Sequence, residues 1–474
     1  MASPKLDVSE YPRVALVLQG GGALGSYQAG VYEGLANAGI HPNWVSGISI
    51  GALNCAIIAG NAPEKRVERL RQFWEAICMP PMMPHSFVAG HQDMLGKEMS
   101  PWAGMMESMG HAMFSSFAAM SALVNGQEGF FKPRPFAPGG GSPDKTSFYD
   151  TGPMISTLER FADFDRINSG ETRVSLGATN VASGNFVYFD STEHTLTPKH
   201  FIASGSLPPG FPATEIDGEY YWDGGCVSNT PLEYVLGVTP RRDTLVFQVD
   251  LWSAEGPLPT DVFQINERLK DIQYSSRTRT VTNAINLMQR MRKALFDTID
   301  RIPAEVRAQD PWFDQMVKHM MGSRYNVIHL IYRNKQTEGH YKDYQFSAET
   351  KNMHWQTGLH DMDETLRYPE CLAMPGKGEN FVSFDVHTRQ RTSSSQFQVE
   401  NVVHPSHIQH HKGSHKSGTS PSTQAEVHRQ ASVAAPPAAK APAKKVAAKK
   451  TTARKVASKK VATRRAAPKK PDAN

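Results

Sequence analysis

Short runs of apolar residues alternate with segments of helical periodicity through most of this chain. Six runs have the length and apolar content of buried strands, at residues 13–18, 43–46, 173–178, 186–189, 244–249 and 326–331. After the first run, apolar residues recur at helical spacing, namely Ala29, Val31, Tyr32, Leu35 and Ala36. Strands that alternate with helices predict a largely parallel sheet covered by helices on both faces, which is an α/β fold.

A helical insertion, roughly residues 79–153, interrupts this alternation between the second and third runs. Its apolar positions are mostly Met and Phe at three- and four-residue spacing: Trp102, Met105, Met106, Met109, Met113, Phe114, Phe117, Met120 and Leu123. Such side chains form a soft apolar face that adapts to varied ligands. The pattern fits a lid over an acyl-binding groove and the ordinary packing of a helical insertion equally well.

The chain of 474 residues is too long for one ordinary domain. We predict an α/β domain at residues 1–255, an α/β extension at 256–390 and a tail at 391–474. The extension contains two long amphipathic patterns, through Ile265, Leu269, Ile272, Ala284, Ile285, Met288, Met291 and Leu295, and through Met353, Trp355, Leu359, Met362 and Leu366. No chemistry follows from these patterns, and basic residues such as Arg290, Arg292 and Lys293 are typical of a solvated helix face.

Candidate chemistry begins at Gly47-Ile48-Ser49-Ile50-Gly51, where one serine stands between two glycines after a strand-like run. In a G-x-S-x-G elbow the serine occupies a strained strand-to-helix turn, and the glycines allow strand and helix to approach closely. The pattern predicts Ser49 as a nucleophile with a helix that begins at Ile50. A serine between glycines also occurs in ordinary turns.

A glycine-rich turn, Gln19-Gly20-Gly21-Gly22-Ala23-Leu24-Gly25, follows the first strand. Backbone N–H groups in such a turn can converge on an anion, and the following helix N-terminus adds positive potential. We predict that Gly20, Gly21 and Gly22, together with the N–H of Ile50, form an oxyanion hole.

The same glycines satisfy the dinucleotide-binding pattern G-x-G-x-x-G at Gly20, Gly22 and Gly25. That pattern requires an acidic residue about twenty positions later to hold a ribose. Residues 44–47 occupy this place and contain no acid. A triphosphate-binding loop is also disfavoured, since no Gly-Lys-Ser/Thr follows the glycines.

A candidate base is Asp223, which follows an aromatic strand-like run and precedes the turn glycines Gly224 and Gly225. A carboxylate in a desolvated pocket has a raised pKa and accepts a proton from a nearby hydroxyl more readily. Asp-Gly is equally typical of a plain turn. A Ser-Asp-His order stays open, because several histidines lie downstream: His319, His329, His340, His354 and His360.

Four blocks occur in a fixed order from about residue 13 to residue 235. They are Gly20–Gly25, the elbow around Ser49, Ala178–Val181, and Ala203–Pro212 leading to Asp223-Gly224-Gly225. Together they resemble the patatin-like lipid acyl hydrolases, which include plant storage esterases and bacterial phospholipases. Residues 343–347 resemble the C-terminal extension of one bacterial branch of that family.

The resemblance implies a three-layer α/β/α fold and a serine–aspartate dyad of Ser49 and Asp223. It implies backbone oxyanion donors and a cofactor-free and metal-free reaction through an acyl-enzyme on lipid esters, of the phospholipase A or lipid acyl hydrolase type. An intracellular polyester depolymerase of the same chemistry and a non-catalytic acyl-binding scaffold are the alternatives. The chain departs from the family at Gln19, where an aspartate is usual, and at Leu24, where a cation is usual, which affects head-group preference.

The tail changes from Ser/His/Gln-rich to Ala/Lys/Pro-rich sequence, and from residue 444 basic doublets recur every five residues. A five-residue step rotates about 140° on a helix, so no amphipathic face forms. Residues 431–474 hold thirteen Lys and Arg against Asp472, a net +12, which leaves −7 for the remainder of a chain whose net charge is +5. We expect a disordered polycation that binds an anionic surface, whether membrane, storage granule or nucleic acid.

Residues 1–10 lack an apolar signal core, and no apolar run is long enough to span a bilayer. The four cysteines, Cys55, Cys78, Cys226 and Cys371, have neither metal-ligand nor disulfide spacing. The expected location is the cytoplasm, at the periphery of a membrane or storage granule.

Overall fold

The computed structural model describes residues 6–79, 122–135, 141–320, 323–333, 342–376, 379–385 and 390–393. The chain divides into two compact units, Met1–Val403 and His404–Asn474, and every described residue belongs to the first. The predicted lid residues from Trp102 to Met120 and the predicted basic tail lie outside the described residues.

Twelve strands are present in the described residues. They are β1 (Arg13–Leu18), β2 (Trp44–Gly47), β3 (Lys132–Pro133), β4 (Tyr149–Asp150), β5 (Arg173–Asn180), β6 (Phe186–Asp190), β7 (Thr214–Ile216), β8 (Glu219–Asp223), β9 (Thr244–Asp250), β10 (Tyr325–Ile331), β11 (Phe381–Asp385) and β12 (Gln390–Ser393). All six strands predicted from the sequence are confirmed, and the additional strands are short or lie at sheet edges.

The α-helices of the described residues lie mainly between these strands. They are α1 (Ser26–Asn37), α2 (Ile50–Ala59), α3 (Arg66–Ile77), α4 (Gly152–Phe161), α5 (Phe164–Asn168), α6 (Pro198–Ser204), α7 (Leu232–Gly237), α8 (Val262–Asp300), α9 (Ala304–Arg307), α10 (Pro311–Met320) and α11 (Ala348–Leu366). None of the helices described is long and apolar enough to cross a bilayer.

Ten strands form one sheet in the order β12-β11-β10-β9-β1-β2-β5-β8-β7, with β6 also paired to β5. The pairs from β11 through β10, β9, β1 and β2 to β5 are parallel, whereas β6, β7, β8 and β12 pair antiparallel with their neighbours. Because parallel strands end at the same edge, the loops after β1 and β2 meet at the carboxyl edge of the sheet.

Side chains of β1 alternate between two hydrophobic cores. Leu16 and Leu18 belong to the larger core, which includes residues of α1, α2, α3 and α11. Ala15 and Val17 belong to the second core, which includes residues of α7 and α8. The sheet therefore lies between two helical layers, and the predicted three-layer α/β/α fold is confirmed.

The extension is built into the same sheet, because β10 lies in parallel register beside β9. Its helix α11 packs against α1 at very short range. The carbonyl oxygen of Trp355 leaves no room for a Cβ at Gly30, and the carbonyl oxygen of Tyr27 leaves none at Gly358. Residues 342–347 consequently reach the carboxyl edge of the sheet, next to the loop after β1.

Candidate functional site

Ser49 occupies the turn between β2 and α2 with a φ of 56°, in the left-handed region that is strained for a non-glycine residue. The turn is compact, because a Cβ at Gly51 would collide with the carbonyl group of Leu18, and a Cβ at Gly47 with the backbone of Gly51. These contacts explain the two elbow glycines. They place the Ser49 hydroxyl at the carboxyl edge of the sheet.

The last residue of α6 and the segment that follows it support the backbone of both candidate catalytic residues. The Ser49 N–H donates to the carbonyl oxygen and to Oγ of Ser204, both at 3.1 Å, and Ser204 Oγ donates to the carbonyl oxygen of Gly177 at 2.7 Å. Two residues later, the carbonyl oxygen of Ser206 accepts the Asp223 N–H at 3.0 Å. This segment therefore fixes the spacing of Ser49 and Asp223.

Asp223 is the last residue of β8 and is only 2% exposed. Its carbonyl oxygen accepts the hydroxyl of Thr179 at 3.1 Å, and its carboxylate accepts the Gly225 N–H at 2.7 Å. The Ser49 side chain lies beside the same carboxylate. Burial raises the pKa of Asp223 to about 7, although the Gly225 N–H and the nearby Ser49 hydroxyl lower it. A hydroxyl beside such a carboxylate can pass on its proton as it attacks a carbonyl carbon.

The glycine-rich loop faces this pair, and Gly20, Gly21, Gly22 and Ile50 all line the same pocket as Ser49. The N–H of Gly20 donates to the carbonyl oxygen of Asn229 at 3.2 Å. This bond corrects the expectation that Gly20 supplies an oxyanion donor. Within the described residues, no group accepts a hydrogen bond from the N–H of Gly21, Gly22 or Ile50.

Gln19 joins the glycine-rich loop to the end of β9. Its Oε1 accepts the N–H groups of Leu251 at 2.6 Å and Trp252 at 3.1 Å, and its Nε2 donates to Thr230 Oγ1 at 3.0 Å. Thr230 in turn reaches the buried Asp250, whose pKa burial raises to about 7. An amide can donate and accept at once, so this position holds the loop without a charge.

A partly enclosed pocket surrounds Ser49. Its walls are mostly apolar. Phe130, Phe131 and Phe211 pack against one another in edge-on and tilted contacts with ring centroids 5.2–5.7 Å apart, and the Phe346 ring lies 5.6 Å from that of Phe130. An apolar pocket that ends at a nucleophile suits the acyl chain of an ester.

The extension contributes four residues to this pocket, Tyr274, Asp343, Tyr344 and Phe346. Sequence analysis did not identify them as site residues, although it singled out residues 343–347 as a family feature. The carbonyl oxygen of Asp343 lies where a Cβ of Gly22 would be, and Gly22 has a φ of +56°. The glycine loop and the extension are therefore in direct contact.

Tyr344 brings a hydroxyl into the pocket. Within the described residues this hydroxyl has no hydrogen-bond partner. Burial, helped by the nearby charges of Asp343 and Asp223, raises the pKa of Tyr344 well above its usual value, so the phenol stays protonated. Lys270 lies 5.5 Å from its ring and pairs with Asp343 at 3.0 Å.

The two described ends of the insertion also reach the pocket. The Met79 N–H donates to the carbonyl oxygen of Phe346 at 2.7 Å, and the carbonyl oxygen of Leu123 accepts the Tyr149 hydroxyl at 2.6 Å. Phe130 and Phe131 themselves line the pocket.

No histidine is found among the described residues that line the pocket. Of the five histidines downstream of Asp223, His329 lies in β10 and burial lowers its pKa to about 4. His354 is buried beside Tyr332, and His360 is exposed on α11. His340 and the side chain of His319 lie outside the described part of the chain.

Two protein-family models match this chain. The family model described as patatin-like phospholipase matches residues 16–236, and a second, described as patatin phospholipase, matches residues 272–378. These matches place the chain among the serine ester hydrolases. It belongs to the patatin-like phospholipase family, which assigns it lipid acyl hydrolase activity and confirms the resemblance seen in the sequence.

Two solved structures are similar to this chain at 12% identity. VipD from Legionella pneumophila matches with a TM-score of 0.30 over 77% of this chain and 67% of that chain. Human GIVD cytosolic phospholipase A2 matches with a TM-score of 0.34 over 77% of this chain and 60% of that chain. The comparison with curated proteins gave no significant match.

Proposed function

We propose that this chain cleaves carboxylic esters of lipids with a Ser49–Asp223 dyad. Ser49 Oγ attacks the ester carbonyl carbon while its proton passes to the Asp223 carboxylate. The resulting tetrahedral oxyanion accepts hydrogen bonds from the N–H groups of Gly21, Gly22 and Ile50. The observation that carries the proposal is the position of Ser49 beside the buried Asp223 carboxylate in one pocket.

Collapse of the oxyanion breaks the ester C–O bond, and the proton held by Asp223 moves to the leaving alkoxide. The acyl group remains on Ser49 Oγ. A water molecule then attacks the acyl carbon, gives its proton to Asp223, and releases the carboxylic acid as the proton returns to Ser49. Asp223 alternates between base and acid, for which a pKa near 7 is suited.

The Tyr344 hydroxyl is the substrate-facing donor in this proposal. It lines the pocket, it stays protonated, and it has no partner in the described residues. A donor that lines a pocket and has no protein partner is available to hydrogen-bond a ligand. We assign it a hydrogen bond to the polar end of the substrate, on the leaving-group side of the ester.

The basic tail is proposed to hold the enzyme at an anionic surface in the cytoplasm. The support is its charge, +12 over residues 431–474. The four cysteines, none of which is in a disulfide, are compatible with a reducing compartment.

The test of the catalytic proposal is the Ser49→Ala variant, compared with Ser183→Ala on the exposed loop between β5 and β6. Both variants are treated with a fluorophosphonate probe. Their turnover is then measured on phospholipids, neutral glycerides, a short-chain polyester and a soluble ester. We expect Ser49→Ala to lose labelling and at least about 10⁴-fold in turnover. Ser183→Ala should retain both. Substantial turnover by folded Ser49→Ala would refute the assignment.

A further inference from the structure

The helix α8 has two apolar sides, one of which faces solvent. Its packed side holds Asp271, Ser275, Ile285, Gln289 and Ile299, all buried. At about 100° per residue, a second set of apolar residues falls on the opposite side within an arc of about 100°. We call this set the outer face, and its members are Val262, Ile265, Leu269, Ile272, Leu287 and Met291.

The residues of the outer face are largely exposed, for example Val262 at 69%, Leu269 at 60% and Met291 at 65%. Fourteen large apolar side chains are exposed in the described residues, and eight of them lie on α8. Single exposed apolar residues are normal on a protein surface, but Val262, Ile265, Leu269 and Ile272 form a contiguous row over the first three turns of α8, which marks a binding surface. Leu287 and Met291 lie on the same side about four turns further along, beyond polar residues such as Thr280 and Asn283. The apolar residues of the outer face are not used to pack α8 against the protein, because the opposite side of the helix makes those contacts.

The same helix forms part of the catalytic pocket. Tyr274 lines the pocket and stacks on Trp252 at 4.9 Å. Lys270 pairs with Asp343 at 3.0 Å, and the buried Lys342 pairs with Asp271 at 2.9 Å. Leu269 and Ile272 adjoin these residues in the chain but point away from the pocket, so α8 carries the outer face on one side and part of the pocket wall on the other.

The charge of α8 indicates what covers the outer face. The helix contains seven Lys and Arg against four Asp and Glu, a net +3. An apolar face with cationic flanks is typical of helices that lie in the interface of an anionic bilayer. A second copy of the chain would bring two cationic helices together, which disfavours self-association.

We propose that the outer face of α8 docks on the surface of a lipid bilayer and so brings the catalytic pocket to the membrane. This inference rests on the proposed function, because docking on a bilayer serves catalysis only if the substrate is a lipid ester. The binding itself comes from the burial of the exposed apolar residues among acyl chains, with attraction of the flanking cations to lipid phosphates as a second contribution.

The test measures sedimentation of the full chain with vesicles of phosphatidylcholine and phosphatidylglycerol in about 0.5 M salt. At this ionic strength the screening length is only a few ångströms, so the tail contributes little. Leu269→Glu is compared with Val306→Glu, which makes the same kind of change at a residue of α9 that is 48% exposed. Loss of one buried apolar side chain and gain of an anion should weaken vesicle binding on the order of tenfold or more. Val306→Glu should bind like the unmodified chain.

Val262→Glu is the second variant, since an anion at a helix N-terminus is compatible with folding. Circular dichroism and the melting temperature establish that each variant is folded. Equal vesicle binding by Leu269→Glu, Val262→Glu and the unmodified chain would overturn the inference. So would a dimeric unmodified chain that light scattering shows to become monomeric in Leu269→Glu.

Vesicle binding is scored without hydrolysis, so it is independent of the dyad. If the chain hydrolyses no ester but Leu269→Glu still loses binding, the docking inference stands and the proposed function fails. If phospholipid is hydrolysed and all variants bind equally, the proposed function stands and the docking inference fails.

Discussion

Gly20 and Asn229 exchange two hydrogen bonds across the candidate active site. The Gly20 N–H donates to the carbonyl oxygen of Asn229 at 3.2 Å, and Asn229 Nδ2 donates to the carbonyl oxygen of Gly20 at 2.9 Å. A Cβ at Gly225 would lie 3.0 Å from Asn229 Oδ1, so the same side chain also borders the turn after Asp223. One buried asparagine thus joins the proposed oxyanion donors to the proposed base.

Replacement of Asn229 by Ala should therefore reduce kcat more than it raises KM. Release of the loop misplaces donors that act mainly in the transition state, for which a loss of about 10²-fold is typical. Asn43→Ala is the matched control, since Asn43 bonds to Val14 and Pro12 at the other end of β1. We expect both variants to lose about 1 kcal/mol or more of stability. A kcat loss of similar size in Asn43→Ala would contradict a specific role for Asn229.

The two hydrogen bonds between Gly20 and Asn229 could not be predicted from the sequence. The elbow glycines were predictable because a positive φ and a close backbone approach leave a local signature at Gly47 and Gly51. The role of Asn229 has no such signature, because its partner Gly20 lies 209 residues away in the chain and comes near only in the folded protein. The Gly20 donor was mispredicted for the same reason.

The proposed base predicts a pH dependence of activity. Asp223 must be ionised to accept the Ser49 proton, and its pKa is about 7. We expect kcat/KM to fall about tenfold per pH unit below pH 7, as measured on a soluble ester. Asp223→Asn should be nearly as inactive as Ser49→Ala at every pH. A single folded histidine variant with the same loss would instead indicate a triad.

The same carboxyl group predicts a stability change of opposite sign. A folded pKa near 7 lies far above the unfolded value of about 4, so the folded state binds the extra proton between these values and loses stability as pH rises from 4 to 7. Asp223→Asn removes this loss. It should raise the melting temperature by a few degrees at pH 8 and by less at pH 5. Asp250, whose pKa is also about 7, leaves part of the pH dependence in the variant. A lower melting temperature for Asp223→Asn at pH 8 would contradict the raised pKa.

Tyr344→Phe tests the donor that the extension supplies. The ring can keep its place beside Lys270, 5.5 Å from the centroid, while the hydroxyl is lost. Removal of one hydrogen bond to bound substrate should lower kcat/KM on the order of tenfold for esters with a polar leaving group. Esters with an apolar leaving group should be affected less. Tyr220→Phe on β8, away from the pocket lining, is the control, and equal kinetics for both variants across all esters would exclude the role.

The position of Tyr344 in the pocket could not be predicted from the sequence around it. The extension carries no catalytic pattern of its own, since a tyrosine after two charged residues is unremarkable. The position behind its proposed role arises because β10 continues the parallel sheet and α11 packs on α1, which carries residues 342–347 to the edge where Ser49 lies. The order of the strands in the sheet brings these residues together, and the periodicity of apolar residues along the chain does not predict that order.

Deletion of residues 431–474 should change where the enzyme binds and leave its intrinsic chemistry intact. The segment carries +12 and none of the residues placed in the pocket, and its composition buries too little apolar area to fold onto the domain. Turnover of a soluble short-chain ester should stay within about twofold, which is about 0.4 kcal/mol in the barrier. Binding to anionic vesicles in low salt should fall strongly, and the intact chain should lose the same component as salt is raised. A full-length chain with Gln in place of the basic doublets separates charge from length, and it should behave like the deletion. Equal low-salt binding by the deleted and intact chains would exclude the tail as the electrostatic anchor.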